Sequence, residues 1–182
     1  DVQVLLEETN RRVDVIAEGF DIAIRVRPPP LEDSELVLKV FAERGQGLVA
    51  SPDLVARHGL PQGPADLADF PSLALGQPQG DHAWHLHGPN GLQADVRHNP
   101  RLVTRGMLAL RQAACAGVGV VQLPLMLVSE ELAKGQLVQV LPQWAPPQEI
   151  IHAVYPSRRG QLPSVRALLD HLDAAFAAMD ER

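Results

Sequence analysis

The sequence predicts a two-lobed α/β fold with mostly parallel sheets, and three observations carry that expectation. Near its start the chain alternates an apolar strand pattern, a helical pattern and a second strand, with short joints between them. A middle block repeats the alternation of strand and helix, and a last strand and helix close the chain. Short joints of this kind favour parallel pairing, with helices laid over the sheet. The middle block, residues 48–146, would build one lobe. Residues 1–47 and 147–182 would together build the other.

Each element follows from its residues. Val2, Val4 and Leu5–Leu6 form a strand-like run. Asn10 then caps a helix with Val13, Ile16, Ala17 and Phe20 at helical spacing, which Gly19 stops. Asp21–Val26 is a strand, ended by the stiff loop Pro28-Pro29-Pro30. Leu36–Glu43 and Leu48–Ala50 read as strands joined across Gly45-Gln46-Gly47. Ser51-Pro52 is a helix start, a capping hydroxyl followed by proline at the first helical position, and Gly59 ends that helix. Leu73–Leu75, Trp84–His87 and Leu92–Val96 read as short strands, the last two joined by Gly88-Pro89-Asn90-Gly91. Arg101–Val103 is a strand, Gly106–Ala116 a helix and Gly119–Leu123 a strand. Pro124 opens a helix that Lys134-Gly135 ends, and strands Leu137–Leu141 and Ile150–Tyr155 flank the proline-rich Pro142–Pro147. From Ser164 a helix sets Val165, Leu168, Leu169, Leu172 and Phe176 on one face.

Composition narrows the function classes. At 46% hydrophobic and 21% charged residues, the 182-residue chain has the mixture of a globular protein able to bury a core. Its single cysteine, Cys115, makes neither an internal disulfide nor a CxxC pair, which suits a reducing, cytoplasmic compartment. The apolar runs Val118–Val121 and Leu123–Val128 fall well short of the roughly 20 residues of a membrane span, so no membrane partner is expected. A formal net charge of −6 speaks against nucleic-acid binding by this segment.

Five ordered motifs then carry a resemblance. Val13-Asp14-Val15-Ile16-Ala17-Glu18-Gly19-Phe20-Asp21-Ile22-Ala23-Ile24-Arg25 is similar to the D-L-x-x-E-G-F-D-L-A-I-R run of LysR-type transcription regulators. Leu48-Val49-Ala50-Ser51-Pro52 through Gly59, with Pro64-Ala65-Asp66-Leu67 after it, resembles the next family segment. Ala113 through Leu123-Pro124 has the form A-x-x-G-x-G-I-x-x-L-P, and Lys134–Pro142 and Ile151–Pro156 complete the set. The resemblance implies the effector-binding domain of such a regulator, with a periplasmic-binding-protein-like fold. Against the family pattern the winged helix-turn-helix and linker helix do not appear. Asp1-Val2-Gln3-Val4 resembles the second strand, so the first strand–helix unit is expected to be missing and its effector contacts with it.

Open parallel sheets bind ligands beyond the carboxyl ends of their strands. Three segments are expected there: the loop Arg25-Val26-Arg27, the helix entrance Thr104-Arg105-Gly106 and the strand end Gln122-Leu123-Pro124. A helix start offers unpaired N–H groups and partial positive charge, which favour an anion. Alternatively Thr104 only caps its helix, and the arginines are solvated or paired with acids.

Other patterns are weaker. Asp81-His82, His85, His87 and His98 form a histidine-rich stretch, read as solvated surface rather than metal site. Gly45-Gln46-Gly47-Leu48-Val49-Ala50 matches a dinucleotide fingerprint nominally, but opens a strand rather than a helix. Gly117-Val118-Gly119 follows a helix and is rejected too. No G-x-S-x-G elbow or paired-carboxylate motif is present, and Cys115 reads as a packed thiol. The expectation is therefore a ligand sensor without cofactor or catalysis. Its expected partners are a small effector, a carboxylate held between two lobes, and further copies of itself in a dimer or tetramer. DNA would be reached only through an N-terminal domain outside this chain. The alternative is a transport-type solute-binding protein of the same fold.

Overall fold

The computed structural model of the chain describes residues 2–9, 11, 13–29, 31, 35–159 and 162–180. In chain order the strands are β1 (Ala23–Arg27), β2 (Leu36–Arg44), β3 (Gln46–Ala50), β4 (Ser72–Leu75), β5 (Ala83–His87), β6 (Gln93–Arg97), β7 (Pro100–Thr104), β8 (Val121–Pro124), β9 (Val138–Val140) and β10 (Glu149–Pro156). The helices are α1 (Pro52–His58), α2 (Met107–Cys115), α3 (Ser129–Ala133) and α4 (Pro163–Asp180). The chain divides into two compact units, Asp1–Glu43 with Glu149–Arg182, and Arg44–Gln148.

In the first unit the strand order is β1-β10-β2. α4 buries Val165 and Leu169 against Ala153 of β10, with Ile22, Phe41 and Tyr155 packed beside them. Phe176, three turns further along the same helix face, stacks on Phe41 with ring centroids 5.5 Å apart. Lys39 Nζ meets Asp173 Oδ2 at 3.0 Å on the exposed side of that contact.

The start of the chain departs from expectation. Val2–Leu6 forms no strand, and Val2, Val4, Leu5 and Leu6 are exposed. A strand exists only through its ladder, and none of the described strands pairs with these residues. The helix expected over Val13–Phe20 is a single turn. Asp14 Oδ1 accepts from the N–H groups of Ile16 and Ala17, and the Glu18 N–H reaches the Asp14 carbonyl at 2.9 Å. Gly19, at φ +77°, then leaves the helical region. The Glu18 carboxylate accepts from Arg11 Nη1 and from the Asp14 N–H, which holds it down at a pKa of about 2. Asn10, the expected cap, lies outside the described residues, as do Asp1 and Pro30.

The second unit is built around β3, buried at all five positions. Its pleat sends Leu48 and Ala50 into one core with Leu54, Leu67, Phe70, Trp84 and Leu86. Val49 goes into another, with Leu73, Leu110, Ala114, Val121 and Leu123. β3 pairs with β8 on one side and β9 on the other. A bridge from Ser72 to Val120 attaches β4 and β7, so the strands run β7-β4-β8-β3-β9. α2 covers the Val49 face, and the β5–β6 hairpin covers the other through Trp84, Leu86 and Val96.

The sheets are mostly antiparallel, which corrects the expectation of mostly parallel ones. β1 with β10, β3 with β8, β3 with β9, and β5 with β6 all pair antiparallel. β4 with β7 and the Ser72–Val120 bridge are parallel. The strand–helix–strand argument holds for strands that pair with each other across their own crossover. β1 instead pairs with β10, and β3 with β8 and β9, strands that arrive from distant parts of the sequence.

Local end signals perform as their chemistry dictates. Ser51 Oγ accepts from the Leu54 N–H at 3.2 Å, Pro52 opens α1, and Gly59 closes it at φ +87°. Pro124 opens not one helix but a 3₁₀ turn, Leu125–Leu127, followed after Val128 by the short α3.

Candidate functional site

β4, β7 and β8 run in the same direction, so Leu75–Gly76, Thr104 and Pro124 end at one rim of the second unit. β3 runs opposite to β8 and sets Gln46 against Pro124 at that rim. Two of the three expected segments, Thr104-Arg105-Gly106 and Gln122-Leu123-Pro124, are thereby brought to one edge.

The Thr104 carbonyl accepts from the Gly76 N–H at 3.0 Å, fixing the end of β7 beside β4. Its Oγ1 accepts from the Gly106 N–H at 3.2 Å. Gly106, the residue at the mouth of α2, has no side chain to cap the first turn, and that turn holds no acidic residue. Among the described residues no side chain caps the first N–H groups of the helix, which lie next to the exposed Arg105. Backbone donors, a hydroxyl and a guanidinium at one helix start suit the oxygens of an anion.

On β8, Leu123 is fully buried in the Val49 core, so any ligand contact it makes is through its backbone. Gln122 faces the other way, and its Nε2 donates to Gln46 Oε1 at 2.8 Å. The sequence pattern places Gln46 only in the joint Gly45-Gln46-Gly47. Its signal was an amide heading the apolar strand Gln46–Ala50.

Arg25, Val26 and Arg27 lie not in a loop, as expected, but in β1, with Cα partners His152, Ile151 and Ile150. The strand continues past Val26 because β10 supplies ladder partners up to Arg27. Arg25 Nη2 donates to the Val13 carbonyl at 2.9 Å, and Arg27 Nη1 to that of Val26 at 2.8 Å. These three residues belong to the first unit, and the other six to the second.

The histidine stretch divides by pleat. His85 and His87 are exposed on one face of β5, with His85 Nδ1 2.6 Å from Asp95 Oδ1. His98 is instead half-buried, stacked on Trp84 with centroids 3.9 Å apart, and its Nδ1 lies 2.8 Å from Ser72 Oγ. Burial, aided by nearby His82, lowers its pKa to about 4. Among the described residues no cluster of three or more His, Cys, Asp or Glu is grouped to hold a metal.

An open depression of about 400 Å³ lies at the other end of α2, lined by Ser51, Gln112, Cys115, Glu131 and their neighbours. Burial, and then Glu131, pushes the Cys115 thiol up, the opposite of an activated nucleophile. The donors that suit an anion are at the start of α2, not here.

Comparison with known proteins agrees with the motifs. Residues 1–177 match the LysR substrate binding domain model. The chain is 33% identical over 173 residues to the HTH-type transcriptional regulator PtxR of Pseudomonas aeruginosa, covering 94% of this chain and 54% of that protein. It superposes on the full-length virulence activator AphB of Vibrio cholerae with a TM-score of 0.83 at 24% identity, covering 97% of this chain and 59% of that one. For the regulator CrgA of Neisseria meningitidis the TM-score is 0.77 at 28% identity, with 89% and 54% covered. The chain thus spans about half the length of the curated relatives it matches.

Proposed function

From the premise that this chain belongs to the LysR substrate-binding domain family, we propose that it senses a small anionic effector, an organic carboxylate. It is the ligand-sensing regulatory domain of a LysR-type regulator, with the two-lobed α/β effector-domain fold, and its relatives are regulators rather than enzymes. The single observation that supports an anion is the start of α2, where Thr104 Oγ1 takes the Gly106 N–H and leaves uncapped backbone donors beside Arg105. There the positive end of the helix and a guanidinium add. Gln122 and Pro124 at the same rim would face the rest of the ligand, and Leu123 would contribute backbone.

The whole protein would be a cytoplasmic, self-associating regulator that reaches DNA through a domain other than this one. The effector would act through unequal affinity for two arrangements of that assembly, since equal affinity shifts nothing.

A thermal-shift screen tests the anion. A ligand that binds only the folded state raises Tm once its concentration exceeds its Kd. Carboxylates should stabilise the protein, and Arg105→Ala should remove most of that gain. Stabilisation by neutral or cationic compounds alone, or an unchanged carboxylate effect in Arg105→Ala, overturns the reading.

A further inference from the structure

Gln46 stands at the first position of β3, on the face that continues into Leu48 and Ala50, and is only 8% exposed. Opposite it, Pro124 has no N–H, and the Leu125 N–H turns instead to the Gly45 carbonyl at 3.0 Å. Gln46 therefore occupies the last rung of the ladder, at the rim that also carries Thr104 and the start of α2. Its Oε1 accepts from Gln122 Nε2, while its own amide nitrogen has no hydrogen-bond partner among the described residues. A carboxamide carries two N–H donors and one carbonyl acceptor. The link between the two glutamines uses one acceptor and one donor. It leaves the Gln46 amino group and the Gln122 carbonyl, a donor and an acceptor on adjacent strands.

We propose that the Gln46–Gln122 amide pair is the specificity-determining element of the effector site, reading an uncharged hydroxyl or carboxamide on the anionic effector. The proposal rests on the carboxylate reading above and adds a second chemical requirement to it. A group that both gives and accepts a hydrogen bond satisfies both glutamines at once, whereas an alkyl carbon in its place leaves both polar atoms unpaired and desolvated. Two neutral amides suit this task, because they match a neutral group without competing for the carboxylate that Arg105 and the helix start attract.

Matched carboxylates that differ by one hydroxyl test this: propionate with lactate, butyrate with 3-hydroxybutyrate, and benzoate with 3-hydroxybenzoate, each titrated calorimetrically. The readout is the ratio of the two Kd values within a pair, which a purely structural tie between β3 and β8 would not move. The hydroxylated member of at least one pair should bind about tenfold more tightly to the unaltered protein, the scale of one or two well-made hydrogen bonds. Gln46→Leu and Gln122→Leu should each reduce that ratio to about twofold or less. Gln46→Glu keeps an acceptor for Gln122 Nε2 while removing the donor, and serves if a leucine variant fails to fold. If plain carboxylates bind and Arg105→Ala weakens them, yet no pair shows a hydroxyl preference or the variants leave it intact, this proposal falls and the carboxylate reading stands. If no carboxylate binds at all, both fall.

Discussion

A Cβ placed on Gly119 would lie 2.8 Å from the Pro71 carbonyl oxygen and 2.9 Å from its carbon, closer than real Cβ atoms approach backbone. The bare Cα is what lets the Val120 N–H reach that carbonyl at 2.8 Å and the Leu73 N–H reach the Val120 carbonyl. Those bonds attach β4 and β7 to β8, so the rim that gathers Thr104 and Pro124 depends on one hydrogen atom. Gly119→Ala is expected to cost about 2 kcal/mol or more, as overpacking against backbone does. Gly63→Ala, where a Cβ meets nothing within 4 Å, should stay within about 0.5 kcal/mol. Urea unfolding of both variants checks the contrast.

Ser51 is the cap that α1 depends on, buried and bonded to the Leu54 N–H. Ser51→Ala should lower stability by about 1 kcal/mol, and Ser51→Asp should retain most of it, because an aspartate oxygen can accept the same bond. Equal Tm values for the unaltered protein and the alanine variant would remove the cap from the account.

The His98 imidazole sets a pH dependence. Its folded pKa is about 4 against an ordinary 6.5, so between those values the unfolded chain binds a proton that the folded one refuses. Stability is therefore complete above about pH 6.5 and declines as pH falls towards 4. His98→Gln, which can still bond Ser72 Oγ, should flatten this part of the Tm–pH curve. A curve of unchanged slope in the variant assigns the acid sensitivity elsewhere.

Arg111 Nε stands 3.3 Å from Glu131 Oε1, with side chains 25% and 12% exposed. Arg111→Met would leave a mostly buried carboxylate without its counter-charge, at an expected cost of about 2–4 kcal/mol. The double change Arg111→Met with Glu131→Leu should recover most of that loss, which a double-mutant cycle measures. Glu131→Gln should also let the Cys115 thiol ionise at lower pH, seen as faster alkylation by iodoacetamide, because Glu131 contributes to holding that pKa up.

The helix and strand positions of the second unit were legible because each is announced within a few residues. Ser51-Pro52 and Gly59 bound α1, and alternation sends Trp84 and Leu86 inward and leaves His85 and His87 outside. In the first unit α4 was equally legible, with Val165, Leu169 and Phe176 on one face. The same local reading overextended the first unit. There Val2–Leu6 has a strand pattern but no partner, and Asp14 and Gly19 confine a helical pattern to one turn. Of the candidate site, Thr104–Gly106 and Gln122–Pro124 could be named from strand and helix ends. Gln46 could not, because nothing near it in sequence says that Gln122 will lie within hydrogen-bond reach.

The sequence by itself determined the family, through motifs spread along the chain, and the local conformations that caps, glycines and apolar periodicity dictate. Tertiary structure alone decided which strands pair and in which direction. Alternation fixes which side chains share a face but is the same for a parallel and an antiparallel neighbour. β1 could meet β10, and β3 could lie between β8 and β9, only once distant segments had packed together. That long-range pairing turned the expected parallel sheets antiparallel, and it set Gln46 against Pro124 on the rim where Thr104 and the start of α2 also lie.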